Sequence, residues 1–167
     1  AQAQKALSDA GVPGWARILE IGRTDAGAYY VADRYQRSVQ KIVVRGIKVG
    51  AAGLRQVVTG IVDALVELRT RASRPHGNLK TTNVLIGGPD GPTVDRDPIV
   101  LTDLKPASTL SPKDAEDDIR AIGRLVYEMV MLRTPRDSVG LTVSMTSDWS
   151  RLGGSALAWI DFVNRLL

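Results

Sequence analysis

The residues best suited to chemistry fall in three short stretches. The first is His76-Gly77-Asn78-Leu79-Lys80-Thr81-Thr82-Asn83, the second Thr102-Asp103-Leu104-Lys105, and the third begins at Asp118. They combine amides, ammonium groups, carboxylates and the chain's sole imidazole. An amide takes up no proton at neutral pH, so Asn78 is no general base. One histidine builds no multi-His metal site. The absence of cysteine removes disulfides, thiolate nucleophiles and Cys-based zinc sites.

Other candidates are weaker. Ser108, Thr109 and Ser111 share a short loop, and Ser111-Pro112 suits a proline-directed modifying enzyme, though plain turn chemistry explains them better. Trp15, Trp149 and Trp159 read as core or rim packing rather than a ligand box. Gly123 reads as a point of close helix contact.

Regular elements must hold these stretches in place. Residues 2–10 read as the end of a helix closed by Gly11 and Pro13. Apolar runs at 17–21 and 28–32 flank Thr24-Asp25-Ala26-Gly27 and read as a hairpin. Residues 38–46 suggest a short helix with a loop. Residues 51–72 are the clearest helix, with Leu54, Val58, Ile61, Leu65 and Leu68 on its buried face. Arg74-Pro75 breaks it. Strands follow at 83–86 and 98–102, joined by a Gly/Pro/Asp turn at 87–97. Residues 103–113 and 134–146 read as loops. Asp117 or Asp118 caps a second buried helix running to about 132, with Ile119, Ile122, Leu125, Val126 and Met129 inward. The last helix, 155–167, presents Leu157, Ile160, Val163 and Leu167. Strands come first and helices after, which predicts an α+β protein.

Composition agrees with a packed domain: 167 residues, 44% apolar and 24% charged. No apolar run is long enough to span a membrane, and residues 1–11 lack the pattern of a signal peptide. A cytoplasmic location is expected. The net charge is +4, but Lys and Arg read as spread among acids without aromatic interleaving, so nucleic acid is not an expected partner.

The three stretches, in this order and between these elements, resemble the protein-kinase superfamily in its bacterial Ser/Thr form. Residues 76–83 are similar to the catalytic loop, 102–105 to the magnesium-binding D-F-G segment, and 118–128 to the pattern D-x-x-x-x-G-x-x-x-Y-E of the central helix. The resemblance implies a small-lobe remnant at 1–35, with a hinge at Ala32-Asp33-Arg34-Tyr35, and a large lobe at 36–167. It also implies roles. Asn78 stands in the base position. Lys80 stands beside the transferring phosphoryl group. Asn83 and Asp103 are the metal and nucleotide ligands if nucleotide binds, or otherwise a loop bond and a turn cap. His76 ties the loop to the core, and Asp118 holds the loop backbone.

The departures carry as much weight. Asn78 replaces the base, and Thr81 replaces a proline. Lys105 replaces a flexible glycine. Only fifteen positions separate Asp103 from Asp118, too few for an ordinary substrate platform, and no A-P-E follows. No glycine-rich phosphate loop or V-A-I-K lysine appears. The expected function is therefore a pseudokinase: a scaffold that binds another protein, with no catalytic residue and no cofactor. One alternative is an atypical Ser/Thr kinase or phosphotransferase using ATP with magnesium, its small lobe upstream. The other is a structural subunit that covers the hairpin edge. A small-molecule substrate is not expected.

Overall fold

Short helix, tight stop and hairpin follow from the first thirty-odd residues. The computed structural model describes residues 1–89, 91, 93–135 and 141–167. Helix α1 spans Gln2–Asp9. Gly11 takes φ 65°, which a residue without Cβ adopts at no steric cost. The Gly11 N–H then donates to the Ser8 carbonyl and the Val12 N–H to that of Leu7, at 3.0 Å each, closing the helix. Strands β1 (Ile18–Thr24) and β2 (Gly27–Ala32) pair antiparallel about a turn at residues 25–26. Both are longer than the apolar runs suggested, because the ladder continues through Gly22, Arg23 and Thr24.

A second sheet forms the platform. Strands β3 (Arg37–Ser38), β4 (Val84–Ile86) and β5 (Ile99–Leu101) run antiparallel in the order β3-β4-β5. Trp15 adds a parallel bridge on β5: Ala16 N–H donates to the Leu101 carbonyl (2.9 Å) and Leu101 N–H to that of Gly14 (2.8 Å). Arg37 is buried beneath the 87–97 connection. It donates to the carbonyls of Gly87 and Thr93 and to the Asp97 carboxylate, at 2.6–2.8 Å.

Helix α2 covers Val39–Val44, and Ser38 caps it through a bond from Lys41 N–H. Helix α3 spans Ala51–Ala72, the bounds its periodicity gives. Its buried line is Leu54, Val57, Ile61, Ala64 and Leu68. Val58 and Leu65 are only half-buried, a correction to the expected face. The rotation follows from close contacts on the other side of the stripe. A Cβ at Gly60 would lie 2.6 Å from the Ile99 Cβ, and one at Gly14 would lie 2.9 Å from that of Ala64. Backbone can approach there only because small residues face it.

Helix α4 spans Asp114–Met131 and starts earlier than expected. Asp117 and Asp118 do not cap it. Asp114, Glu116 and Asp117 instead fill its first turn, where carboxylates complement the helix dipole. Ile122, Leu125, Val126 and Met129 are buried, but Ile119 is 48% exposed, a second correction. Arg151 closes the other end by donating to the Val130 carbonyl at 2.9 Å. Short helix α5 (Ser147–Ser150) places Trp149, fully buried, in the core. Helix α6 (Ala156–Leu166) buries Ile160 and Val163, while Leu157 is 71% exposed and lies off the expected face. Trp15 is buried and Trp159 packs at the core's edge, as expected of both. A Cβ at Gly123 would stand 2.9 Å from the Leu166 Cβ, so Gly123 is where α4 and α6 touch.

The protein is α+β. No helix among the described residues is long and apolar enough to cross a membrane. The loop expected at 134–146 falls partly outside the described residues, at 136–140, and the 87–97 turn does so at 90 and 92. Cations are less dispersed than composition suggested: residues 34–62 hold six Lys/Arg and no Asp or Glu.

Candidate functional site

The polar stretches meet where the loop after α3 crosses the end of β5. Helix α3 ends at Ala72, and Ser73 turns left-handed with φ 50°. Pro75 cannot continue a helix. The chain then runs irregularly through 76–80, tightens into one 3-10 turn at Thr81–Asn83, and enters β4. Thr102 N–H donates to the Asn83 carbonyl at 3.1 Å, which fixes the end of β5 against that turn.

His76 is the pivot of the loop and is fully buried. Its Nδ1 accepts from the Asn78 N–H at 3.2 Å. The proton therefore sits on Nε2, which lies 3.1 Å from the Thr102 carbonyl and donates to it. Trp15 stacks on the ring, with centroids 6.0 Å apart. Burial pushes the imidazole down to about 4, so it is neutral at physiological pH. Both nitrogens are occupied, which leaves His76 a structural role.

Asp118 reaches back from α4 to the same loop. Its carboxylate accepts from the His76 N–H at 2.7 Å and from the Gly77 N–H at 2.9 Å. Burial pushes the carboxyl up to about 6, against the downward pull of those two N–H groups. Gly77 sits at φ 72°, and a Cβ there would meet the Lys105 side chain at 2.9 Å. Loop and D-L-K segment are thus pressed together at a residue that must lack a side chain.

Asp103 occupies the left-handed region with φ 63°, which is unfavourable for a residue with a Cβ and persists only where neighbours enforce it. Three amides do so. Gln4 Oε1 accepts from the Asp103 N–H at 2.9 Å. The Asn78 side chain donates to the Asp103 carbonyl at 2.9 Å and to its Oδ2 at 3.0 Å. Asn83 Nδ2 donates to the Asn78 carbonyl at 2.8 Å and reaches Oδ2 at 3.5 Å. One carboxylate oxygen is therefore covered by amide donors. The other, Oδ1, has no hydrogen bond among the described residues.

Lys105 closes the short loop. Its Nζ donates to Asp114 Oδ1 at 2.7 Å, and Asp114 Oδ2 accepts from the Ser111 N–H at 2.6 Å. The Lys105 ammonium and the Ser111 N–H hold the Asp114 carboxyl below its usual range. The Lys105 N–H donates to the His76 carbonyl at 3.0 Å, and Arg74 donates to the Lys105 carbonyl. Leu104 is buried as an apolar plug. A lysine at 105 thus fastens the D-L-K segment to the first turn of α4.

The structure brings His76, Asn78, Asn83, Asp103 and Asp118 into one network. Lys80 is apart from it: the side chain is exposed and makes no ion pair among the described residues. Gly123 lies at the α4–α6 contact. Asp103 and Asn83 are adjacent, and an oxygen-seeking cation would have Asp103 Oδ1 available. Gln4 was not foreseen. It is 1% exposed and also donates to the Ala16 carbonyl (2.9 Å) and to Thr102 Oγ1 (3.2 Å). Its spacing of three from buried Leu7 put it on the inner face of α1, where a polar residue demands partners. The network offers positioned donors and a held carboxylate, but its His and its Asp118 are both engaged and buried, so neither serves as a base. No family model matches the chain, and no curated protein matches its sequence.

Proposed function

We propose that the chain is a protein-kinase-like domain that has given up phosphotransfer and works as a protein-interaction scaffold. The observation that carries this reading is the Asn78 side chain donating to Asp103 at 2.9 and 3.0 Å. In the resembled family that loop position carries the base and Asp103 faces magnesium. Here the base position spends its donors on fixing the metal position. Three features support the scaffold frame: the order of elements, the tie from His76 to Thr102, and the grip of Asp118 on the loop backbone. The Lys105–Asp114 clasp shortens the segment on which a substrate peptide would dock.

Asn78→Asp tests the reading directly. It would place a second carboxylate about 3 Å from the first, where like charges force one group to hold a proton or both to seek a cation. The expected result is no phosphotransfer from ATP with magnesium to generic protein substrates, and a lower melting temperature without a divalent cation. Robust turnover by the variant would sink the scaffold reading. It would favour the atypical phosphotransferase, for which the unengaged Asp103 Oδ1 beside Asn83 is the supporting observation.

A further inference from the structure

We infer that strand β2 is a self-association edge, which pairs antiparallel with β2 of a second copy of this chain to give a four-stranded sheet in the order β1-β2-β2-β1. The inference goes beyond the scaffold reading and does not depend on it. The hairpin is a two-stranded sheet among the described residues, and a lone two-stranded ribbon is marginal without further strands or a packed face. Its two edges differ. At β1 the ladder shifts between Ile18 and Glu20, and the strand carries Glu20 and Arg23. Helix α1 also engages the Ile18 backbone: Ser8 Oγ accepts from its N–H and Lys5 Nζ donates to its carbonyl, both at 3.4 Å. Irregular register, charges and a covering helix are common protections of a sheet edge. Strand β2 has neither of the first two. Gly27–Ala32 contains no charge and no proline. Its register against β1 is unbroken from Gly27 to Val31, and Tyr29, Tyr30 and Val31 are 40–43% exposed.

The sequence of β2 says what fits beside it. Set against its own reverse about Tyr30, it places Tyr30 opposite Tyr30, Tyr29 opposite Val31, and Ala28 opposite Ala32. Small side chains meet small and large meet large on both faces of the pleat. Aromatic–aromatic and aromatic–β-branched pairs stabilise neighbouring strands, and no like charges fall opposite each other. The ends are complementary as well. The same register brings Arg34, two residues beyond β2, level with residues 25–26 in the turn of the second copy. Arg34 and Asp25 are exposed, and neither side chain makes an ion pair among the described residues. A two-fold axis through Tyr30 forms this Arg34–Asp25 pair twice. Growth stops at two copies, because the outer edges of the combined sheet are then both β1, with its shifted register and its charges.

The test uses the full chain, which contains no cysteine. Sedimentation equilibrium across the micromolar range is expected to show reversible monomer–dimer association. Tyr30→Lys sets two ammonium groups against each other on the axis and should weaken the dimer at least tenfold. Tyr30→Val keeps an apolar strand former and should retain it. Arg34→Asp should weaken the dimer in part, and adding Asp25→Arg should restore it. Circular dichroism checks that each variant folds. Where a charged variant does not, the register is read through cysteine. Under oxidation Tyr30→Cys should link two copies across the axis, where opposed Cα atoms lie within disulfide reach, and Ala28→Cys should not, since Ala32 lies opposite it. A monomer throughout, a dimer indifferent to Tyr30→Lys, equal linking of Tyr30→Cys and Ala28→Cys, or an open series of higher oligomers would each overturn the proposal. None of these outcomes involves Asp103, so the inference can fail while the scaffold reading stands.

Discussion

Asp118→Ala is expected to destabilise the protein by about 2–5 kcal/mol, since each buried donor left without a partner costs about 1–3 kcal/mol. Asp118 is 5% exposed and serves two backbone N–H groups, those of His76 and Gly77. A hollow of about 350 Å³ lined by Gly77, Asp117 and Asp118 adjoins the contact and can admit water to the Gly77 N–H, which places the loss toward the lower end of that range. For a chain of this length the loss corresponds to a drop in Tm of roughly 5–15 °C. Asp117→Ala is the control. Asp117 is half-exposed and only loosely paired with Lys113 and Arg120, so its removal should cost no more than about 0.5 kcal/mol. Denaturant titration of both variants measures the difference. Equal losses would mean that Asp118 does not hold the loop.

The second large effect is a pair of opposed pH dependences within the same contact. His76 is pushed down to about 4 in the folded state, from about 6.5 in an unfolded chain. Its contribution is fully present above pH 6.5 and is lost as pH falls toward 4, a total of about 3 kcal/mol. Asp118 moves the other way, up to about 6. A carboxyl whose folded pKa is raised favours the folded state at low pH, and that contribution disappears as pH rises through about 6. In the intact protein the two effects oppose each other between pH 4 and 6. Removing one should expose the other. Asp118→Asn should lose stability steeply on acidification, and His76→Phe should lose much less or gain. Other carboxylates, such as Asp114, contribute to both variants alike, so the difference between the two slopes is the informative quantity. Parallel slopes from denaturation at several pH values would contradict the assignment.

Sequence periodicity made the long elements legible and left the joints obscure. Helix α3 was readable to the residue because Ala72 precedes a stretch that cannot stay helical, ending in Pro75. Its buried line was displaced because Val57 and Ala64 face inward, and small residues carry little weight in an apolar pattern even where backbone approach depends on them. The start of α4 was misplaced because Asp114 acts twice: it accepts from Ser111 N–H and pairs with Lys105. Neither partnership has a local signature strong enough to outrank a cap at Asp117 or Asp118. Ile119 and Leu157 fit the helical period and still face solvent, since periodicity gives an angle and not the width of the neighbour that covers it.

At the site, residue types pointed to the right cluster, and tertiary contacts determined how its members are used. Nothing in the spacing of Asn78 and Asp103 says that the amide donates to the carboxylate. Gln4 lies ninety-nine positions from Asp103, and only the fold joins them. Lys105 looked like a defect in a glycine position. The structure gives it a use, as the clasp that closes a loop of reduced length.

The most direct measurement is a thermal-melt series of the chain with ATP and ADP, each with and without magnesium. A ligand that binds only the folded state at a hundredfold excess over its dissociation constant adds about 2.7 kcal/mol, which a melt detects easily. The scaffold account predicts no magnesium-dependent shift at millimolar nucleotide, because the Asn78 amide holds Asp103 Oδ2 and leaves a cation only the single oxygen Oδ1. A magnesium-dependent rise in Tm that Asp103→Ala abolishes would contradict it and place a working phosphate site at Asp103.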